Sequence, residues 1–328
     1  MQPFSYSRPA TEDDAIAALQ LEPVAAVIAG GTDLLDLMKL GVTAPSQLID
    51  INGLPLAAIN STDRGVSIGA LARMSDVARD MRIMKEFPAL SQALLASASA
   101  QLRNMATVGG NLMQRTRCPY FRDSTFACNK RDPGSGCSAI NGFSRVSAIL
   151  GTSSKCIAAH PSDMAVALVA LGADVILASR SGTRRVSVEE FFLLPGDTPQ
   201  HETVRQPGEL IVAVEVPASP EAQRSLYLKV RDRASFEFAL VSVAAAVDMK
   251  GSVIKSARIA MGGVAPRPWR SPSAEAILAG KPASMKNFAA AATAAVTGAT
   301  SARFNAFKVT LAQNAVQRAL SLATEVNR

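Results

Sequence analysis

The chain has 328 residues, enough for two or three domains, and 48% of them are hydrophobic, as expected for a globular protein. No apolar run approaches the roughly 18 to 20 residues of a membrane-spanning helix, so we expect no membrane insertion. The net charge of +7 is concentrated near four cysteines without aromatic residues at stacking intervals, which argues against nucleic-acid binding. Residues 1–14 lack an apolar stretch and paired arginines. The chain is therefore expected to be cytoplasmic, or to be exported with a partner that carries the signal.

The first 56 residues predict a compact unit with a βαβ-like rhythm. Thr11 precedes a short helical pattern with acidic residues in its first turn, where the helix dipole favours them. An apolar run at 24–29 predicts a strand that ends in two glycines, and Thr32 is placed to cap the helix that follows. A second strand is predicted at 47–51. We assign residues 1–56 to a first subdomain.

Residues 57–220 predict a second subdomain, which a cysteine-bearing segment at about 115–157 interrupts. This segment shows little periodicity, and a loop of that length inside a compact domain is usually functional or disordered. A polar stretch around Pro217 marks the end of the subdomain. The predicted elements are a strand at 65–70, helices at 75–82, 87–99 and 162–171, and strands at 174–178 and 210–216.

Residues 221–328 predict a unit of different character, in which strands come first and helices follow. Lys250-Gly251 is a hairpin signal between two of the strands. The order favours an antiparallel sheet with helices on one face, and hence an α+β fold. The predicted strands are 225–231, 238–249 and 252–261, and the predicted helices are 274–279, 286–297 and 308–326.

Two glycine-rich loops are candidates for binding an anion. The first glycine loop, residues 29–34 (AGGTDL), lies between a predicted strand and a helix, where glycines let backbone amides approach a phosphate closely. An ordinary tight turn explains it equally well. The second glycine loop, residues 107–112 (TVGGNL), has the same chemistry, so the pair could hold the two ends of one dinucleotide. Asp163 could accept a ribityl or ribose hydroxyl, or could simply serve its own helix.

All four cysteines fall within one short stretch, at Cys118, Cys128, Cys137 and Cys156. Zinc sites favour pairs separated by two to four residues, which are absent here. Disulfides need an oxidising compartment. A cubane iron-sulfur cluster tolerates long irregular loops, and the arginines and lysines nearby suit its negative charge. We therefore favour the cluster, with zinc and disulfides as alternatives.

The motifs together resemble the FAD-binding medium subunit of the xanthine dehydrogenase family of molybdenum hydroxylases. The resemblance rests on the two glycine loops, on YLKVRDRASFEFALVSVAAAV at 227–247 and on GGVAPRP at 262–268. The cysteine pattern RCPYFRD…CNKRDPGSGC…KCIAAHPSD is similar to that of the flavoprotein subunit of bacterial periplasmic aldehyde oxidoreductases, which carries an additional [4Fe-4S] cluster. The resemblance implies a two-subdomain FAD-binding fold of the PCMH type, followed by a C-terminal domain of the CO dehydrogenase flavoprotein type.

The resemblance also implies a set of binding residues, with no catalytic residue in this chain. Lys229 would approach the flavin ring, although without the resemblance an edge-strand lysine facing water is the better interpretation. The cluster would be held by Cys118, Cys128, Cys137 and Cys156. The FAD would be held by Val27, Ile28, Ala29, Gly30, Gly31, Thr32, Asp33, Leu34, Thr107, Gly110, Asn111, Asp163 and Lys229.

The function implied by the resemblance is electron transfer within an aldehyde oxidoreductase complex. A large partner with the molybdenum cofactor would oxidise the aldehyde, and a small partner with [2Fe-2S] clusters would relay electrons to FAD and an external acceptor. A twin-arginine signal on the small partner would bring the heterotrimer to the periplasm, whereas the sequence alone permits the cytoplasm. The alternatives are a stand-alone flavin oxidase of the same fold and a metal-stapled scaffold subunit without redox activity.

Overall fold

A small parallel sheet forms the N-terminal part of the computed structural model, which describes residues 1–22 and 24–325. In chain order its elements are β1 (Ser5–Ser7), α1 (Glu12–Leu21), β2 (Ala26–Ile28), α2 (Leu34–Lys39) and β3 (Gln47–Asp50). The strands are parallel in the order β1-β3-β2. The predicted βαβ unit is therefore present, with β1 as a strand that the sequence pattern did not reveal.

Local chemistry explains how the two helices of this part begin. The Thr11 side chain accepts a hydrogen bond from the Asp14 backbone N–H and caps α1 as predicted. The prediction that Thr32 caps α2 is wrong, because Asp33 occupies the N-cap position. The Asp33 side chain makes no capping hydrogen bond, since other partners engage its carboxylate.

A five-stranded antiparallel sheet dominates the middle of the chain, in the order β4-β5-β8-β6-β7. Its strands are β4 (Ile59–Thr62), β5 (Gly65–Gly69), β6 (Asp174–Ser179), β7 (Gly182–Ser187) and β8 (Leu210–Pro217). The helices of this region are α3 (Met74–Arg79), α4 (Met81–Glu86), α5 (Pro88–Ala96), α6 (Ala100–Met105), α7 (Val108–Leu112), α8 (Pro119–Arg122), α9 (Ser138–Asn141), α10 (Asp163–Leu171), α11 (Val188–Phe191) and α12 (Pro220–Gln223). Only two four-residue helices interrupt the cysteine segment.

The C-terminal part is a second antiparallel sheet, in the order β12-β11-β10-β9, with β13 paired to β11. Its strands are β9 (Ser225–Val230), β10 (Val241–Lys250), β11 (Val253–Gly262), β12 (Trp269–Arg270) and β13 (Lys281–Pro282). Its helices are α13 (Pro272–Leu278), α14 (Met285–Ala295) and α15 (Phe307–Thr324). The predicted hairpin at Lys250-Gly251 joins β10 to β11. Residue 326, the predicted last residue of α15, lies outside the described residues.

Strand β10 joins the middle and C-terminal parts because it is buried on both faces. Val243 and Val247 pack among residues of α13, α14 and α15. Ala244 points the other way and belongs to the core built by α5 and α10. The small alanine side chain permits this close approach of the helices to the strand. Within residues 1–22 and 24–325, no helix combines the length and apolar character needed to cross a membrane.

Replacing Ala244 with leucine should lower the free energy of unfolding by about 1 to 3 kcal/mol, because the added methylenes have no space between β10 and α10. Ala244 is 0% exposed. The measurement is urea unfolding followed by circular dichroism. The matched control is Ala289→Leu on the exposed side of α14, which should change little. Equal losses in both variants would contradict the packing argument.

Candidate functional site

The structure places the first glycine loop against Met105 and Ala106, which directly precede the second glycine loop. A Cβ built on Gly30 would lie 2.1 Å from the Met105 carbonyl oxygen, so only glycine permits this contact. The Asn52 amide donates to the Ala29 carbonyl at 2.9 Å. Arg73 donates to both Asn52 and the Met105 carbonyl. These contacts hold the loops side by side.

The first glycine loop presents unused backbone donors at the start of α2. Within the described chain, no hydrogen bond uses the N–H groups of Gly30, Gly31, Thr32 or Asp33. Gly31 has φ +69°, a left-handed conformation that a side chain would strain. Successive free amides beside a helix start suit an anion such as a pyrophosphate. Of the other predicted residues here, Val27 and Ile28 lie in β2 and Leu34 begins α2.

The second glycine loop forms the short helix α7 and is engaged differently. The Thr107 hydroxyl accepts a hydrogen bond from the Gly110 N–H at 3.2 Å and caps this helix. The Asn111 side chain oxygen accepts from the Ser162 hydroxyl at 2.5 Å. The Ser162 hydroxyl also caps α10. Asn111 therefore links the second loop to the turn that carries Asp163.

Asp163 and Lys229 form a buried ion pair between α10 and β9. Their side chains are 6% and 4% exposed, and the Lys229 Nζ donates to the Asp163 carboxylate at 2.7 Å. The carboxylate also accepts from the Tyr227 hydroxyl at 2.5 Å and the Ser97 hydroxyl at 3.0 Å. Burial and the neighbouring Asp163 carboxylate raise the pKa of Tyr227 well above 10, so its hydroxyl remains a donor. The interpretation of Lys229 as a water-facing lysine is therefore wrong.

A cavity of about 160 Å³ lies between the start of α10 and the β9–β10 connection. Asp163, Arg117, Glu237 and Phe238 contribute to its lining. We call it the larger cavity. It therefore borders both the start of α10 and the cysteine segment.

All four cysteines line a second, narrow cavity within the inserted segment. Cys128 and Cys156 are buried, and none of the four forms a disulfide. The backbones of Cys128 and Cys137 face each other in an isolated antiparallel bridge. Burial raises the pKa of Cys118 to about 11, with contributions from Cys128 and Cys156. The folded chain therefore gathers the four thiols, as their clustering in sequence predicted.

No group of three or more histidine, cysteine or acidic side chains in the described part of the chain is arranged to hold a metal ion. A single tetrahedral zinc with Zn–S bonds of about 2.3 Å would need the four sulfur atoms within about 3.8 Å of one another. The four cysteines surround a common space without that arrangement. The disulfide alternative is likewise not realised in this structure.

The basic residues of the segment mainly hold the segment itself in place. The Lys130 ammonium donates to the Pro199 carbonyl at 2.9 Å and to the Glu202 carboxylate at 3.0 Å. Burial raises the pKa of Cys156, and the positive charge of Lys130 partly opposes this effect. Arg131 donates to the carbonyls of the α8 turn. Lys130 thus combines a structural contact with a favourable charge effect on Cys156.

Asp33 joins the first glycine loop to the cysteine segment. Its carboxylate accepts hydrogen bonds from Arg122 at 2.5 Å and from the Arg115 backbone N–H at 2.8 Å, and pairs with Arg117 at 2.9 Å. The sequence predicted Asp33 as a cofactor residue and did not reveal these partners. It also missed Tyr227, although the alternation Tyr227, Lys229 places both side chains on one face of β9.

The comparisons with known proteins agree with this architecture. Residues 2–219 match the family described as the FAD binding domain in molybdopterin dehydrogenase. Residues 226–323 match the CO dehydrogenase flavoprotein C-terminal domain. Together these matches cover most of the chain, and the chain belongs to the family of FAD-binding medium subunits of molybdenum hydroxylases. It is therefore an oxidoreductase subunit.

The chain is also similar to individual members of this family. The chain is 53% identical over 280 residues to the aldehyde oxidoreductase FAD-binding subunit PaoB of Escherichia coli (strain K12), covering 85% of this chain and 86% of that one. It is 32% identical to the glyceraldehyde dehydrogenase medium chain of Sulfolobus acidocaldarius, covering 85% and 82% of the two chains. The solved structure of quinoline 2-oxidoreductase from Pseudomonas putida 86 matches with TM-score 0.76 and 27% identity, covering 99% of this chain and 98% of that chain.

Lys229→Met should lower the free energy of unfolding by about 3 to 5 kcal/mol, because it leaves the buried Asp163 carboxylate without its cation. Adding Asp163→Asn should recover most of that loss, since the amide keeps an acceptor for Tyr227 without a charge. Urea unfolding of the wild type, both single variants and the double variant measures the coupling. Additive losses in the double variant would contradict the ion pair.

His160 should make the fold less stable in mild acid. Burial, assisted by the Lys130 charge, lowers the pKa of His160 from 6.5 to about 3. Below about pH 6.5 the unfolded chain therefore binds a proton that the folded chain does not, and stability falls as the pH falls toward 3. His160→Phe, which retains an aromatic ring beside Phe192, should lose less stability between about pH 7.5 and about pH 5.

The measurement is the urea midpoint at both pH values, with the exposed His201→Gln as the matched control. An identical pH dependence in the wild type and His160→Phe would contradict the assignment.

Proposed function

We propose that this chain is the FAD- and [4Fe-4S]-binding electron-transfer subunit of a molybdenum-containing aldehyde oxidoreductase. The observation that carries the proposal is that all four cysteines line one cavity beside the larger cavity of the flavin-binding fold. Thr116, Cys118 and Ala158 line both cavities. A centre held by the cysteines would thus be separated from a ligand in the larger cavity by single residues that line both cavities.

The FAD fits the residues at the two glycine loops. The free amides of residues 30–33 would bind the pyrophosphate, and Thr107, Gly110 and Asn111 would approach it from the second loop. Asp163, which lines the larger cavity, would hold the ribityl chain, and Lys229 would hold the Asp163 carboxylate in position beside the flavin. The bound flavin supplies the capacity to accept and release electrons, while this chain binds and orients it. We retain residues 1–56, 57–220 and 221–328 as the proposed units of this arrangement.

A cubane cluster matches the four-cysteine lining of the narrow cavity, which at about 10 Å³ would have to widen to admit it. Four cysteine thiolates are the usual ligand set for such a cluster, and its iron and sulfide atoms separate the ligands more widely than one zinc ion would. The cavity lies next to the Lys130 cation, which favours the charged form of Cys156. Cys118, Cys128, Cys137 and Cys156 would be the four ligands.

The proposed partners are a large subunit with the molybdenum cofactor and a small subunit with [2Fe-2S] clusters, in a heterotrimer. The similarity to PaoB, whose name describes an aldehyde oxidoreductase FAD-binding subunit, supports this assembly and aldehyde oxidation. Electrons would leave through this chain to an external acceptor. We propose the periplasm as the location, reached by export together with a signal-bearing partner.

A stand-alone flavin oxidase is the second candidate because His160 lines the larger cavity. Such an enzyme needs a base near the substrate, and a pKa of about 3 makes His160 a weak one. A scaffold subunit without redox activity would leave the free amides of the first glycine loop without a ligand. Aldehyde oxidation by the isolated chain distinguishes the first alternative, and flavin content distinguishes the second.

Purification without oxygen, followed by flavin, iron and sulfide analysis, tests the proposed function. The wild type should contain one FAD and four irons per chain, as expected for one cubane cluster. Cys128→Ser should lose the iron and its EPR signal after reduction, yet still bind flavin at saturating FAD. Ser124→Ala, an exposed change in the same segment, is the control and should retain both. Zinc in place of iron, or a wild type without flavin, would overturn the proposal.

A further inference from the structure

The first glycine loop and α2 meet the cysteine segment through a cluster of charges, which we call the acid-arginine clamp. It consists of Asp33, Asp36, Arg117 and Arg122. Arg122 bridges both acids, donating to Asp33 at 2.5 Å and to Asp36 at 2.6 Å. Its side chain is only 13% exposed, so solvent screens these contacts less than at an open surface. The clamp therefore joins two segments that are distant in sequence.

An apolar contact lies beside the clamp and reaches the cysteines directly. Leu37 of α2 packs in one buried cluster with Phe121 and Cys128, and Cys118 borders the same cluster. Cys118 and Cys128 also line the narrow cavity. Helix α2, which follows the first glycine loop, thus packs in the same cluster as two of the four proposed ligands, Cys118 and Cys128.

The arginines of the clamp are fixed by the turn that carries Cys118. The Arg122 backbone N–H donates to the Cys118 carbonyl at 3.1 Å, and the Arg122 Nε donates to the Thr116 carbonyl at 3.1 Å. Arg117 immediately precedes Cys118. A centre that fixes Cys118 and Cys128 would therefore also fix the clamp arginines and the face against which Leu37 packs.

We propose that a cluster in the narrow cavity strengthens FAD binding at the first glycine loop, through the acid-arginine clamp. Asp33 is then a positioning residue that acts through the loop backbone. A loop already ordered by the clamp loses less conformational entropy when its amides bind a pyrophosphate. The effect is reciprocal, so bound FAD should slow the loss of iron. This inference rests on the proposed function.

The first test is the dissociation constant for FAD, measured by quenching of flavin fluorescence on the deflavinated full-length chain with its iron retained. Arg122→Gln should weaken FAD binding about 10-fold. The matched control is Arg185→Gln, a paired arginine whose partners, Asp174 and Glu215, line neither cavity. It should leave the affinity unchanged. Equal affinities for the wild type and Arg122→Gln would overturn the coupling.

The second test combines Arg122→Gln with Cys128→Ser in a double-mutant cycle. Loss of the cluster should weaken FAD binding about 10-fold in the wild-type background and have no further effect once Arg122 is replaced. Independent, multiplicative losses would overturn the coupling.

The third test uses the wild type without any substitution. A chelator should remove iron more slowly when FAD is present, and equal rates of iron loss with and without FAD would overturn the inference.

These outcomes separate the two proposals. A wild type that binds both FAD and four irons, but binds each independently of the other, overturns the coupling and leaves the proposed function standing. A wild type that lacks either cofactor overturns both.

Discussion

The arrangement of the candidate site depends on the buried ion pair between Asp163 and Lys229. Two charges removed from water are tolerated only with close pairing and further hydrogen bonds, which Tyr227 and Ser97 provide here. Because Asp163 begins α10 and Lys229 lies in β9, the pair fixes the C-terminal sheet against the middle of the chain. The position of the larger cavity follows from that contact.

The two glycine loops depend on a different constraint, the close approach of backbones. Gly30 lies against the Met105 carbonyl where no side chain fits. Asn52 donates a hydrogen bond to the Ala29 carbonyl and accepts one from Arg73. The first loop is then held from its other side by Asp33. A binding surface of free amides is thus held in place by backbone packing at Gly30 and by the contacts of the Asp33 carboxylate.

Much of the fold could be predicted from sequence because local signals agreed with the final structure. Thr11 caps α1, and the Lys250-Gly251 signal joins β10 to β11. Strand β7 was missed because most of its side chains are exposed and give no alternating apolar pattern. Thr32 was assigned wrongly because the choice of N-cap depended on backbone geometry that composition does not reveal.

The candidate site was less predictable than the fold, because its contacts join residues far apart in sequence. The family resemblance gave Asp163 and Lys229 separate roles, and only the structure pairs them. Likewise, the clustering of the cysteines was visible, whereas the arginine partners of Asp33 were not. The burial of Cys128 and Cys156 also bears on maturation of the proposed cluster site. An inorganic centre held there would have to enter before the inserted segment closes, which would couple cofactor delivery to the last stage of folding.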